Sequence, residues 1–201
     1  MAVTRRFLIT LGLAALLPLA LSACDAARPS AYKAIDITGA EYAQDLDLPD
    51  TDGRVRHMAE FKGKLVVVFF GFTQCPDVCP TTMLELAEVK KAMGADGERV
   101  QGVFVSIDPE RDTPEVLKAY VVNFSPDFIA LRGSLDETKA AAKRFKVFYA
   151  KVPGKTEGGY TMDHTAGSYV FDTQGKVRLF TRYGTGAESL KHDLQLLLKQ
   201  G

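Results

Sequence analysis

The chain of 201 residues carries 25 Lys plus Arg against 25 Asp plus Glu, and 46% of its side chains are hydrophobic, 12 of them Phe. That suits one compact core. A formal charge of zero excludes the broad basic field that holds nucleic acid or drives adsorption to an anionic membrane surface.

Residues 1–24 read M-A-V-T-R-R-F-L-I-T-L-G-L-A-A-L-L-P-L-A-L-S-A-C. Arg5 and Arg6 precede an apolar stretch from Phe7 to Ala23 that Pro18 interrupts and small residues close, which is the layout of a secretory signal. A spanning helix normally needs about 20 apolar residues, and this stretch is shorter. Leu21-Ser22-Ala23-Cys24 resembles the lipobox of bacterial lipoproteins. Residues 1–23 are therefore expected to be removed, leaving Cys24 as a lipid-bearing first residue. The mature protein would be anchored in the bacterial cell membrane with its domain in the periplasm. Stable anchoring takes more than one acyl chain. Arg5-Arg6-Phe7-Leu8 also looks like part of a twin-arginine export signal. Residues 24–40 have little periodicity and read as a tether to a domain over 41–201.

Leu46 to Arg56 holds a Pro, Asp and Gly turn cluster between short alternating segments, which predicts a small opening hairpin. Lys64 to Phe72, K-L-V-V-V-F-F-G-F, is a continuous apolar run suited to a central strand covered on both faces. Thr73-Gln74-Cys75-Pro76-Asp77-Val78-Cys79-Pro80 follows directly and leads into a helical pattern with Leu84, Leu86, Val89 and Met93 on its apolar side. Val100 to Ile107 reads as a second buried strand. Thr113-Pro114-Glu115 then gives an N-cap, a proline at the first helical position and an acid in the first turn, for a helix to about Asn123. Phe128 to Leu131 is a third strand and Leu135 to Phe145 another helix. Residues 151–163 contain three glycines and a proline and read as an excursion that delivers Asp163-His164. Ser168 to Phe171 and Val177 to Tyr183 make a hairpin, and Glu188 to Lys199 an amphipathic closing helix. Strands alternating with helices predict an α/β domain with a mixed central sheet, helices on both faces and an N-terminal hairpin extension. A cysteine pair at the first strand-to-helix turn makes a thioredoxin-like fold the leading expectation.

With Cys24 assigned to lipid, Cys75 and Cys79 remain, spaced C-x-x-x-C. Closing so short a loop does little to restrain an unfolded chain, so the spacing favours chemistry over a structural staple. A helix N-terminus lowers thiol pKa through its dipole and free amides. Soft thiolates select Cu(I), zinc or iron–sulfur clusters, and an added imidazole suits copper or zinc. Of the three histidines, His57 lies on the opening hairpin and His192 on the closing helix, both surface positions. His164 precedes a core strand, where a thioredoxin-like fold would bring it opposite the cysteine turn. A structural zinc site closes with four ligands, and only Cys75, Cys79 and His164 stand out. Asp163 or Asp77 could orient the imidazole as an acceptor behind it. Met162 offers a thioether near His164, while Met83 suits core packing.

Three segments, F-F-G-F-T-Q-C-P-D-V-C-P-T-T at 69–82, S-I-D-P-E-R-D-T-P at 106–114 and M-D-H-T at 162–165, together resemble the Sco (SenC) family of copper-binding proteins. The likeness covers about residues 45–199. It implies a thioredoxin-like fold, copper as Cu(I) or Cu(II), and ligands at Cys75, Cys79 and His164 with Asp163 in the acidic position beside the histidine. It further implies a copper chaperone that helps build the binuclear copper centre of cytochrome c oxidase subunit II, exchanging with other periplasmic copper chaperones or thioredoxin-like reductases. The alternative activity is thiol-disulfide exchange, with Cys75 and Cys79 as the redox-active pair acting on the cysteines of that subunit. A third reading, a peroxiredoxin-like peroxidase, rests on F-T-Q-C at a related turn and would not need His164.

Overall fold

The computed structural model describes residues 30–154 and 158–201, so the leader, Cys24 and the start of the tether lie outside the described residues. In chain order the strands are β1 (Ile35–Asp36), β2 (Leu48–Pro49), β3 (Val55–Arg56), β4 (Leu65–Gly71), β5 (Val100–Ser106), β6 (Ile129–Leu131), β7 (Tyr149–Pro153), β8 (Tyr160–His164), β9 (Gly167–Phe171) and β10 (Val177–Arg182). The helices are α1 (Val78–Ala92), α2 (Pro114–Val122), α3 (Leu135–Phe145) and α4 (Ala187–Gln200).

Six strands form the central sheet in the order β1-β10-β9-β4-β5-β6. β4 runs parallel to β5 with Leu65 opposite Val100 and Gly71 opposite Ser106, and antiparallel to β9 on its other side. Every residue of β4 and of β5 is buried, which is why the sequence shows continuous apolar runs there. Alternation along β4 assigns its side chains to two layers. Phe69 and Phe104 are level on neighbouring strands and Phe104 packs on Tyr120 of α2, while Val67 shares a small cleft with Leu86 of α1 and Leu190 of α4. Phe70 and Phe171, of opposite parity, pack on Phe145 of α3 at 5.0 and 6.2 Å between ring centroids. Helices thus cover both faces of a mixed sheet, with the cysteine turn at the carboxyl end of the central strand, and the fold is thioredoxin-like. The opening hairpin is present as the separate pair β2-β3.

Local chemistry sets the helix starts, as expected at α2 and by an unanticipated cap at α3. The Thr113 side chain accepts a hydrogen bond from the Val116 amide with Pro114 in the first turn of α2, and Ser134 and Glu137 form a capping box at α3.

Three expectations need correction. Leu84 is 52% exposed; the inward side of α1 is Cys79, Met83, Leu86 and Val89. The helical phase is fixed at its start by the burial of Cys79, and Leu84, five residues on, falls outside that stripe. Residues 151–163 are not an irregular excursion, because β7 and β8 pair antiparallel from Tyr149–His164 to Pro153–Tyr160. Alternation was present on both sides of the glycine-bearing tip, and the glycines obscured it. Finally, the reading of 24–40 as tether extends too far. Ile35 and Asp36 pair with Phe180 and Leu179 at the sheet edge, and the buried Asp193 carboxylate accepts the amides of Lys33 and Ala34 at 2.8–3.0 Å. A two-residue edge strand is too short for periodicity to announce it.

Candidate metal centre

The sequence around Cys75 leaves the sheet abruptly. β4 ends at Gly71, where an added Cβ would lie 2.8 Å from Phe69, 2.9 Å from the Cys79 sulfur and 3.0 Å from Phe104. Only glycine lets the first turn of α1 approach the strand this closely. The Cys75 amide donates to the Phe72 carbonyl at 3.2 Å, closing the turn. Thr73 is held from beneath by the buried carboxylate of Asp112, which accepts its hydroxyl at 2.6 Å and its amide at 3.2 Å, and also accepts the Ser106 hydroxyl at 2.6 Å. Burial pushes the Asp112 carboxyl up despite these bonds.

Cys75 is partly exposed and Cys79 is fully buried in the first turn of α1, and no disulfide joins them. The Cys79 amide donates to the Cys75 sulfur at 3.4 Å. The third group arrives from the other side of the site. His164 closes β8, and its Nε2 lies 3.5 Å from the Cys79 sulfur. The two sulfurs and an imidazole nitrogen all lie within 4.8 Å of one another, a spacing one ion with metal–sulfur bonds of about 2.3 Å spans with little adjustment. His164 Nδ1 faces the Thr165 carbonyl oxygen at 3.1 Å. A carbonyl only accepts, so Nδ1 carries the proton and Nε2 turns its lone pair toward the sulfurs. Phe69 and Phe72 contact the ring edge-on at 5.8 and 6.0 Å, shielding that side from water.

The pair shares one proton unequally. Cys75 is held down to about 4, chiefly by the hydrogen bond from the Cys79 thiol, helped by the amides of Asp77 and Cys79, and opposed by burial. Cys79 is pushed up by its bond to Cys75 and by burial. At neutral pH the site therefore holds a Cys75 thiolate and a Cys79 thiol whose proton an incoming metal displaces.

The predicted ligands Cys75, Cys79 and His164 are thus brought together. His57 and His192 sit elsewhere, beside Asp45 at 3.0 Å and Asp193 at 2.9 Å. Met83 is fully buried in the core. Met162 is buried and shares the inward face of β8 with His164. Neither acid proposed behind the imidazole takes that place. Asp163 is exposed and points away because strand alternation sends residues 163 and 164 to opposite faces. Asp77 is exposed at the N-cap of α1, accepts the Thr81 hydroxyl at 3.3 Å, and serves the site through its backbone amide toward Cys75. The acceptor is the Thr165 carbonyl, which no side-chain motif reveals.

The sequence reading gave Thr73, Asp108, Arg111, Asp112 and Tyr160 no role of their own at the site, although the first four lie in the segments 69–82 and 106–114. For Asp108, Arg111 and Asp112 the signal was a cluster of acids and an arginine directly after a buried strand, at the same sheet end as the cysteines, where α/β sheets place function.

Fold and site define the class: a thioredoxin-like domain with a two-sulfur, one-nitrogen metal centre between its first strand-to-helix turn and a facing hairpin. The SCO1/SenC family model matches residues 36–199, and the chain belongs to that family. It is 41% identical over 133 residues to an SCO2-like protein of Rickettsia felis, covering 66% of this chain but only 65% of that relative's length. Bradyrhizobium japonicum ScoI, solved with copper bound, is 39% identical at a TM-score of 0.68 and covers 76% of this chain and 97% of that one. A SCO1/SenC family lipoprotein from Bacillus anthracis is 29% identical at a TM-score of 0.63, covering 76% and 92%.

Proposed function

We propose that this chain is a periplasmic, lipid-anchored copper chaperone that delivers one copper ion to the binuclear centre of cytochrome c oxidase subunit II. The convergence of Cys75, Cys79 and His164 carries this reading. Two soft sulfurs favour copper, and among the described residues this centre offers no fourth His, Cys, Asp or Glu ligand to close a structural zinc site. The copper-bound ScoI relative supports the same metal.

Delivery is ligand exchange. As each thiolate of the partner attaches to the ion, one ligand of this chain departs; Cys79 regains its proton, and the ion need not change oxidation state. Half-exposed Cys75 and His164 form the accessible side for that exchange.

The lipobox-like L-S-A-C at residues 21–24 and the family lipoprotein from Bacillus anthracis support anchoring through Cys24. Among the described residues no helix is long and apolar enough to cross a membrane. The described chain enters beside the end of α4, where the Tyr32 hydroxyl donates to Gln200 at 2.6 Å. This is the sheet end opposite the cysteine turn, so an anchor upstream would leave the metal centre facing away from the lipid.

Titrating the reduced protein with Cu(I) under a competing chelator should reveal one tight site whose apparent affinity rises about tenfold per pH unit through neutrality, since binding releases the Cys79 proton. Binding by His164→Ala as strong as wild type would refute the assignment. Copper-loaded protein mixed in at least twofold excess with the apo soluble domain of subunit II should lose its copper to that domain, read as the copper content of each protein after separation.

The thiolate of Cys75 beside the thiol of Cys79 favours a second reading. Cys75 would attack a partner disulfide, forming a mixed disulfide and releasing one partner thiolate. Cys79, losing its proton, would then attack the Cys75 sulfur and release the other, so this chain is oxidised by two electrons and the partner reduced. Reduction of oxidised subunit II without copper would favour it.

A further inference from the structure

The loop from Asp108 to Asp112, between β5 and α2, touches both halves of the metal centre. Asp112 holds Thr73 of the cysteine turn. Asp108, also fully buried, accepts the Tyr160 hydroxyl at 2.8 Å and pairs with the Arg111 guanidinium. Arg111 in turn donates to the Gln74 side chain at 3.0 Å and to the Tyr160 carbonyl at 2.8 Å. Its guanidinium lies 3.7 Å from the centroid of the Tyr160 ring and 5.8 Å from that of Phe72. One side chain thereby joins the residue before Cys75 to the first residue of the strand that ends in His164.

We propose that Arg111 is a positioning residue, the latch that closes the β7-β8 hairpin over the cysteine turn and so sets how fast His164 leaves a bound ion. Tyr160, Met162 and His164 share one face of β8, so displacement of Tyr160 carries the imidazole with it. Phe72 shares the same constraint, since its ring centroid lies 5.8 Å from the guanidinium and 6.0 Å from the His164 ring. The planar, permanently charged fork of arginine serves three acceptors in three segments at once, which a lysine ammonium on a flexible stem does not reproduce. Burial pushes the Tyr160 phenol up to about 12, so it remains a donor to Asp108 throughout the neutral range. Arg111 Nη2 is buried without a partner, a local cost tolerated most often where an arrangement serves function. The other ties of the hairpin are weaker, notably the exposed Lys151–Glu110 ion pair.

The latch rests on the metal-site reading for its purpose but not for its existence, so both forms of the protein are measured. A two-stranded hairpin is marginal without packing. In apo Arg111→Lys, amide exchange across residues 160–164 should accelerate roughly tenfold, the scale of one lost charge-assisted bond, while β4 and β9 amides stay as in wild type. Copper transfer from the loaded variant to bathocuproine disulfonate should accelerate by about the same factor. Tyr160→Phe, which keeps the ring under the guanidinium and loses only the bond to Asp108, should shift both rates the same way by a smaller factor. If Arg111→Lys fails to fold, Tyr160→Phe decides. Hairpin exchange and transfer rates within about twofold of wild type in the folded variants would overturn the latch. Loosened hairpin amides in a protein that binds no copper would uphold the latch and refute the copper reading.

Discussion

The two halves of the metal centre are built differently. The cysteine turn grows out of β4, which is hydrogen-bonded on both sides, and is pressed against the strand at Gly71 and tied to buried Asp112. The histidine belongs to a separate two-stranded sheet whose strand pairs are internal. That hairpin meets the rest of the domain through side chains of the Asp108–Asp112 loop and through buried Met162. Moving a cysteine disturbs a close-packed core, whereas moving the imidazole breaks a handful of polar bonds and shifts Met162 and the ring contacts to Phe69 and Phe72. The asymmetry suits the proposed copper transfer, because an ion held by three equally rigid ligands would be slow to leave.

The largest effect expected from this contrast is at Cys79. Cys79→Ser keeps the buried shape but removes a thiolate, and copper affinity should fall by roughly a thousandfold, as fits losing one of three bonds. His164→Ala should cost less, about a hundredfold, because the two sulfurs stay preorganised. Competition titrations with a Cu(I) chelator would measure both. A greater loss at His164 than at Cys79 would mean that the hairpin, not the turn, is the main holder.

Gly71→Ala comes next and tests the rigid half alone. Its methyl would meet the Cys79 sulfur and two phenylalanine rings at or below 3.0 Å, and overpacking of this kind costs about 1–3 kcal/mol. Urea unfolding should show the loss, and copper affinity should fall with it as the first turn of α1 is pushed off the strand. Full stability with full affinity would show that the turn has slack.

This contrast also explains what the sequence reveals and what it hides. β4 and β5 are buried on both faces, so their composition alone identifies them, and Cys75 and Cys79 follow at once. Thr113 marks a helix start by local chemistry. The hairpin carrying His164 is half-exposed and split by glycines, and its two strands are stabilised by each other and by Arg111 and Asp108, far away in sequence. Its ligand was therefore placed by likeness of fold rather than by local pattern. Leu84 was misplaced for the same reason, since the phase of α1 depends on which cysteine the tertiary structure buries. The acceptor behind His164 was beyond reach because it is a backbone carbonyl, present at every position and distinguished only by geometry.

The smallest effect concerns that acceptor. Asp163 adjoins the histidine, which makes its carboxylate the natural candidate for orienting the ring, yet it lies exposed on the outer face of β8 while the Thr165 carbonyl meets Nδ1. Asp163→Asn removes the charge, keeps the size and leaves the carbonyl in place. Its copper affinity should stay within about threefold of wild type, the scale of an exposed charge. The pH dependence of binding should also keep its slope, because the displaced proton comes from Cys79. A tenfold loss would show that the carboxylate turns inward when the ion binds and that the hairpin adjusts its strand register to allow it. The flexible half would then choose its own acceptor, and the division between a fixed turn and a movable arm would extend to the imidazole's proton.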